Sequence, residues 1–245
     1  MVYCSSMGTL YIVATPIGNL EDISIRALRT LFTVDVIACE DTRRAGILIH
    51  ELRTRYQPLL QQFSDTLSEP TLMRYDDHTE HQAAPQILEL LSNDKSVALI
   101  SDAGTPLIND PGFILVREAR RKQIPIVSIP GASAVLTALT SSGLPADKFT
   151  FLGYPPEKQG HRRKLFTAML EKKNDIDVTY IIYVAPHKLN EALVDLQDIV
   201  GDCEITLARE LTKVHEELWT GTISQAITTF AEPRGEFVLL INLGK

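Results

Sequence analysis

The stretch that decides the fold is residues 8–22, GTLYIVATPIGNLED. Residues 10–14 form a short apolar run rich in β-branched side chains, which is typical of a buried strand. A loop with proline and glycine follows. Asp22 and Ser24 then precede apolar residues at helical spacing from Ile25 to Phe32, which indicates a capped helix. A strand, a loop and a helix in this order predict one βα unit of a parallel sheet.

The same pattern recurs along the 245 residues. Further strands are predicted at residues 34–39, 97–100, 124–129, 149–152, 179–184, 205–208 and 237–242. Because segments with helical spacing lie between them, we predict an α/β protein with largely parallel sheets. Pro155 and Pro156 cannot continue a central strand, so we expect two α/β domains, residues 8–152 and 153–245. Residues 1–6 are interpreted as a leader or a misplaced start and are left out of the fold prediction.

The composition of the chain bears on where in the cell the protein is expected. No apolar run approaches the roughly 20 residues that cross a bilayer, and the N-terminal sequence lacks the layout of a signal peptide. The three cysteines, Cys4, Cys39 and Cys203, are far apart and odd in number. This spacing argues against a disulfide framework and a zinc site and suits a reducing cytosol. Together with the lack of a long apolar run, it predicts a cytoplasmic protein without a membrane partner.

The net charge of −7 counts against nucleic-acid binding, because phosphate contacts need a basic surface. Residues 157–175 reverse the balance locally, with six Lys or Arg against three acidic residues. Arg162, Arg163 and Lys164 are the centre of this basic stretch. It is interpreted either as an RNA-binding surface or as a solvated helix face.

Three loops follow predicted strands and contain glycine with proline or alanine: residues 14–20, 101–106 and 130–134. In an open parallel sheet, loops at the carboxyl ends of strands line the ligand crevice. Small residues leave peptide groups accessible to a ligand. Asp102 adds a carboxylate that could accept hydrogen bonds from an amine or a ribose hydroxyl. The alternative is that all three are ordinary turns.

The sequence lacks the motifs of several common classes of enzyme and nucleotide-binding protein. The chain has no GxGxxG after the first strand, no P-loop, no GxSxG and no HExxH. His78 and His81 lie near Asp76, Asp77 and Glu80, but no metal site is predicted there.

Residues 8–22 resemble the opening signature of the ribosomal RNA small subunit methyltransferase I family, a branch of the tetrapyrrole-methylase superfamily. The resemblance continues through residues 38–43, 101–112, 142–145, 208–213 and 235–237. It spans residues 8–243, and the order and spacing of these motifs make it specific.

The resemblance implies two α/β domains with a cofactor cleft between them, a homodimer, and S-adenosyl-L-methionine as cofactor. The implied reaction is 2′-O-methylation of a cytidine ribose in 16S, small-subunit ribosomal RNA, with the RNA or the assembled 30S subunit as partner. The implied cofactor-binding residues are Pro16, Asp102, Ala103, Gly104, Ser133 and Ala134, together with Ala185, Pro186 and Ala208. The segments Cys39–Arg43 and His78–Glu80 would face the substrate.

The chain departs from the family pattern at three places. Ala132 replaces a proline, and Thr79 replaces the asparagine of a His-Asn-Glu segment. Val184 and Ala185 replace a Glu-Ser pair, and Lys188 replaces an arginine. These changes leave the cofactor assignment intact and concern the details of RNA recognition.

A ribose 2′-hydroxyl is a weak nucleophile, so a base that takes its proton would assist methyl transfer. Glu210 and Asp41 are the predicted catalytic residues, and Glu80 and His78 are further candidates. Residues 40–43 could instead form a salt-bridged helix start. The predicted RNA contacts are Arg43, His78, Glu80, Arg162, Arg163, Lys164, Arg209 and Lys213.

Three other functions stay open from the sequence. One is a tetrapyrrole C-methyltransferase, whose relatives usually carry Gly-Asp-Pro where this chain has Asp102-Ala103-Gly104. Another is a non-catalytic ribosome-binding or assembly protein that kept the scaffold. The third is a metal-dependent phosphohydrolase built on Asp76, Asp77, His78 and Glu80.

Overall fold

The structure, a computed structural model, describes residues 7–63, 67–172 and 177–244. It divides into two compact units, residues 1–133 and 134–245. Both combine helices with a five-stranded sheet, so the predicted α/β class is confirmed. Cys4, Lys173, Asp175 and the segment Met1–Ser6 lie outside the described residues.

The first unit has a fully parallel sheet in the order β3-β2-β4-β1-β5. Its strands are β1 (Leu10–Val13), β2 (Val36–Cys39), β3 (Thr71–Arg74), β4 (Val97–Leu99) and β5 (Ile126–Ile129). Its helices are α1 (Ile25–Leu31), α2 (Thr42–Arg55), α3 (Gln57–Leu60), α4 (Glu80–Ser92) and α5 (Phe113–Arg121).

Alternate residues of these strands enter two separate hydrophobic clusters. Val36 and Ala38 pack with α4 and α5, whereas Ile37 and Cys39 pack with α1 and α2. A sheet covered on both faces needs strands that are apolar throughout, which explains why β1, β2 and β4 are readable from the sequence.

The second unit has a mixed sheet in the order β6-β7-β10-β8-β9. Only β6 and β7 pair in parallel; the other neighbours are antiparallel. Its strands are β6 (Phe149–Phe151), β7 (Thr179–Val184), β8 (Glu204–Arg209), β9 (Glu217–Thr222) and β10 (Phe237–Asn242). Its helices are α6 (Ala134–Ser141), α7 (Gln159–Glu171), α8 (Leu189–Val200) and α9 (Ile223–Thr229).

Three expectations need correction. The strand predicted at residues 149–152 pairs with β7, so it belongs to the second unit, which begins at Ala134 rather than at residue 153. A parallel arrangement fails for the second unit because β8 and β9 are joined by a loop without a crossover helix. The strands β3 and β9 were missed because their sequences, TLMR and ELWTGT, mix polar with apolar residues and lack a continuous apolar run.

The described part of the chain contains no helix that is both long and apolar enough to cross a membrane. Cys39 is buried and Cys203 half-buried, and both thiols are free.

Candidate functional site

The loops after β1, β4 and β5 meet in the first unit. These three strands are neighbours and run parallel, so their carboxyl ends share one edge of the sheet. Thr15 and Gly104 exchange two backbone hydrogen bonds, of 2.9 and 3.1 Å. The Thr105 hydroxyl donates to the carbonyl oxygen of Ala132 at 3.0 Å. The structure therefore joins the three predicted cofactor loops into one surface.

Glycine is required where these loops approach each other. Gly104 has a φ of +86°, which favours glycine, and a Cβ there would lie 3.2 Å from Ile17 Cγ2. A Cβ on Gly131 would lie 2.9 Å from the Cβ of Ala14. Pro16 is buried, Ala103 is exposed and Ser133 is half-buried. Bare backbone at an accessible edge is suited to a ligand held by peptide groups.

Asp102 is the one carboxylate on this surface that the sequence predicted. Its Oδ2 accepts a hydrogen bond of 2.9 Å from Nη1 of Arg44 on α2, a residue that sequence analysis had missed. Arg44, Asp102, Cys39 and Ser101 are among the residues that line a small pocket of about 50 Å³. A cationic ligand group at Asp102 would therefore meet an existing ion pair.

Glu40 extends the same surface at the end of β2. Its Oε1 accepts a hydrogen bond of 3.4 Å from the backbone N–H of Asp102. Burial raises the pKa of Glu40 to about 7, and the negative charges of Asp110, Asp102 and Asp77 add to the rise. Burial also raises the pKa of Asp110. Sequence analysis placed Glu40 in a segment that would face the substrate or form a helix start, but did not select it as a base.

The Cys39 thiol lies in the same negative environment. Burial, aided by Asp102, Asp41 and Glu40, raises its pKa to about 12. A neutral thiol is a weak nucleophile, so the structure does not favour Cys39 as a covalent catalyst.

Asp41 and Arg43 begin α2. Asp41 is the N-cap, and its Oδ1 accepts a hydrogen bond of 2.8 Å from the Arg43 backbone N–H. This bond is the main cause of the lowered pKa of Asp41. A weaker base is a poorer proton acceptor, so Asp41 is better explained as a cap. The Arg43 side chain is 92% exposed, and its Nε lies 3.9 Å from Oδ1 of Asp41.

His78 and Glu80 lie around a turn that leads into α4. The Asp76 carboxylate accepts hydrogen bonds from the backbone N–H groups of His78 and Thr79. Glu80 accepts a hydrogen bond of 3.3 Å from the Tyr75 hydroxyl. His78 is exposed. Within residues 7–63, 67–172 and 177–244, no group of three or more His, Cys, Asp and Glu side chains could hold a metal ion.

The second unit gathers its own predicted residues at one edge of its sheet. β7 and β8 flank β10, and Val184 and Arg209 both lie opposite Phe237. Ala185 and Pro186 directly follow β7 and are half-buried. Ala208, in β8, is fully buried. Ala134 begins α6.

Glu210 follows β8 with a φ of +49°. Its Oε1 accepts hydrogen bonds from the Glu236 backbone N–H at 2.9 Å and from Lys213 Nζ at 3.0 Å. The Glu236 bond is the main cause of the lowered pKa of Glu210, and Lys213 lowers it further. These contacts favour a structural role for Glu210 over that of a proton acceptor. Arg209 donates to the Arg234 carbonyl oxygen and to Glu217.

The basic stretch divides into residues with different environments. Arg162 is 3% exposed, and its guanidinium binds the buried carboxylate of Asp195 on α8 at 2.6 Å. Its prediction as an RNA contact is therefore wrong, because a buried paired cation cannot reach a phosphate. Arg163 is partly exposed and pairs with Asp195 and Asp198. Lys164 is exposed and has no ion-pair partner among the residues that the structure describes.

Comparisons with known proteins agree with this architecture. The family model for Tetrapyrrole (Corrin/Porphyrin) Methylases matches residues 9–227. Ribosomal RNA small subunit methyltransferase I from Synechocystis sp. is 44% identical over 96% of this chain and 79% of its own length. The Thermotoga maritima protein of the same name is 40% identical over 96% of this chain and 99% of its own.

The chain belongs to the ribosomal RNA small subunit methyltransferase I family.

Solved structures of more distant proteins share the fold. Diphthine synthase superposes on this methyltransferase I family member with a TM-score of 0.68 at 15% identity, covering 95% of this chain and 90% of its own. Uroporphyrin-III C-methyltransferase from Thermus thermophilus, in complex with S-adenosylhomocysteine, gives a TM-score of 0.62 at 16% identity, covering 96% and 98%. The tetrapyrrole-methylase fold is thus confirmed.

Proposed function

We propose that this chain transfers a methyl group from S-adenosylmethionine to the 2′-hydroxyl of a cytidine in small-subunit ribosomal RNA. The observation that carries the proposal is the identity of 40–44% over about 96% of the chain with relatives named ribosomal RNA small subunit methyltransferase I. Methylation of small-subunit ribosomal RNA follows from these names. The cytidine and its 2′-hydroxyl are our finer assignment, which rests on the motif resemblance.

The chain uses S-adenosylmethionine as its methyl donor. The first unit fits such a group, because the loops after β1, β4 and β5 present bare backbone and one carboxylate at a single edge. Pro16, Asp102, Ala103, Gly104 and Ser133 would hold it there. The group supplies a methyl activated by a sulfonium, so the protein's own work is to orient the reactants and tune the local charge.

Other assignments stay proposals that rest on motif correspondence. Ala134, Ala185, Pro186 and Ala208 would contribute cofactor contacts from the second unit. A homodimer and a cytoplasmic location are proposed on the same ground.

The proposed RNA-contacting residues differ in how free their side chains are to bind phosphate. Arg43 and Lys164 are exposed cations and are best placed to bind phosphate oxygens. Arg163, Arg209 and Lys213 already hold carboxylates, so RNA would have to compete for them. His78 and Glu80 could contact the nucleotide from the turn before α4.

Mapping ribose methylation in cells tests this function. We expect one 2′-O-methylcytidine of small-subunit RNA to disappear when the gene is deleted and to return when it is restored. Restoration with Asp102→Asn should fail if this carboxylate holds the donor. An unchanged pattern of ribose methyl groups in the deletion strain would exclude the proposed reaction.

A further inference from the structure

Glu40 lies beside the proposed donor-binding loop after β4. It follows β2 directly, and β2 is hydrogen-bonded to β4. Its Oε1 lies 3.4 Å from the backbone nitrogen of Asp102, the proposed donor-binding carboxylate. The side chain is half-buried and has no ion-pair partner within the described part of the chain. Glu40 is therefore beside the expected reaction site without being held by a cation.

The other candidate bases are bound elsewhere. Asp41 caps α2 through the Arg43 backbone N–H. Glu210 receives hydrogen bonds from Glu236 and Lys213, and Glu80 receives one from Tyr75. The hydrogen bonds to Asp41 and Glu210 lower the pKa of both carboxyls, so each is a weaker proton acceptor.

A buried hydroxyl next to Asp102 gives an independent indication of a ligand. Ser101 is 3% exposed, and its Oγ has no hydrogen bond of normal geometry among the described residues. Its interaction with the Asp110 carboxyl, which limits the rise in the pKa of Asp110, falls short of that geometry. Ser101 lines the small pocket that it shares with Asp102 and Arg44. Because buried polar groups normally have a hydrogen-bond partner, we expect a ligand or a water molecule to form a hydrogen bond with this hydroxyl.

We propose that Glu40 is the catalytic group that takes the proton from the attacking ribose hydroxyl. The inference rests on the proposed function. The O2′–H bond breaks and its proton passes to a carboxylate oxygen of Glu40. The electron pair left on O2′ forms the new O–CH₃ bond, and the pair of the broken S–CH₃ bond stays on the donor sulfur. Glu40 afterwards loses the proton to water.

The charges around Glu40 predict the pH dependence. Asp110 and Asp102 act on it from the segment after β4, and Asp77 acts on it from the loop before α4. Its neighbours in sequence are Cys39, a neutral thiol, and the N-cap Asp41. Arg44 neutralises Asp102 in part. The surplus of negative charge, added to burial, puts the pKa of Glu40 at about 7. A base must be ionised to accept a proton, so activity should rise with pH up to about neutrality.

Single-turnover methylation at saturating donor and RNA tests the proposal between pH 5 and 9. The wild-type rate should rise tenfold per pH unit and level off near pH 7. Glu40→Gln should lower the plateau about a hundredfold, the usual scale of base assistance, and remove the inflection. Asp110→Asn removes the charge that contributes most to the rise in the Glu40 pKa and should move the inflection to lower pH. Glu51→Gln, an exposed position on α2, is the matched control and should behave as wild type.

A second readout needs neither donor nor RNA. In protein labelled with ¹³C at glutamate carboxyls, one resonance should titrate near pH 7, be absent from Glu40→Gln and move to lower pH in Asp110→Asn. This measurement tests the pKa that the predicted pH profile requires, even if Glu40→Gln binds the donor poorly.

The outcomes separate this inference from the proposed function. A wild-type enzyme that forms no 2′-O-methylcytidine would refute both. If wild type methylates and Glu40→Gln keeps the same plateau and inflection, only the role of Glu40 is refuted. A glutamate titration near pH 4.5 in place of one near pH 7 would refute it as well.

Discussion

At the scale of single residues, environment decides which carboxylate can accept a proton. Sequence analysis selected Glu210 and Asp41 because both follow predicted strands in family motifs. The structure gives each of them donors that stabilise the charged form, whereas Glu40 has burial and like charges. Burial and long-range charge depend on the folded chain, so no pattern within residues 38–43 could have ranked Glu40 above Asp41.

The raised pKa of Glu40 also predicts an effect on stability. In the folded state the pKa of Glu40 is about 7, above its ordinary value of 4.5. Protonated Glu40 therefore favours the folded state. This contribution is complete below pH 4.5 and is lost as pH rises through 7. The glutamine in Glu40→Gln cannot ionise, so this variant should not lose that stability as the pH rises.

Thermal unfolding at several pH values checks this prediction. The Tm of Glu40→Gln should match wild type at pH 4 and exceed it above pH 7. The gain should be about 1–2 kcal/mol, after a discount for partial exposure, or a few degrees. Glu51→Gln should show no such pH-dependent difference. A Glu40→Gln protein less stable than wild type at pH 8 would contradict the assigned environment.

At the scale of elements, the α7–α8 pair shows how a sequence pattern can mislead. Residues 157–175 read as a basic surface, yet Arg162 turns inward to Asp195. Nε of Arg162 also donates to Asp195 at 2.8 Å, and Gln159 and Arg163 donate to the other carboxylate oxygen. Burial opposes ionisation of Asp195, but these bonds outweigh it and lower its pKa. The partner of Arg162 lies 33 residues away, beyond any local pattern.

Breaking this pair should destabilise the protein. Arg162→Met leaves the Asp195 charge buried and should cost about 3–5 kcal/mol. The double variant Arg162→Met with Asp195→Leu should recover most of that loss, because it removes both charges. Lys164→Ala, two helix positions further, should leave the free energy of unfolding within about 0.5 kcal/mol of wild type. Chemical denaturation of the four proteins measures this, and an Arg162→Met protein as stable as wild type would contradict the buried pair.

Central and edge strands differed in how well they could be predicted. The eight predicted strands all exist, and residues 179–184 and 237–242 match β7 and β10 at both ends. β3 and β9 were missed because one neighbour and partial exposure leave their sequences mixed in polarity. Pairing partners cannot be read from the strand itself, which is why β6 was assigned to the wrong unit.

At the scale of the whole molecule, the α/β class followed from alternating strands and helices, and the family from motifs spread over residues 8–243. The net charge of −7 predicts that any RNA contact is local. The net charge does not distinguish paired from exposed cations. Arg209, Lys213 and Arg163 form ion pairs with carboxylates. The Arg43 side chain is largely exposed. That distinction arises only when distant acidic residues are brought together by folding.

Reconstitution with purified components tests the central claim most directly. The protein is incubated with S-adenosylmethionine carrying a labelled methyl group and with small ribosomal subunits from a strain that lacks the enzyme. The RNA is then digested to nucleosides and analysed by mass spectrometry. We expect label in 2′-O-methylcytidine alone, near one mole per mole of subunit. Label in a base methyl group, or none in RNA while the protein binds the donor, would contradict the account.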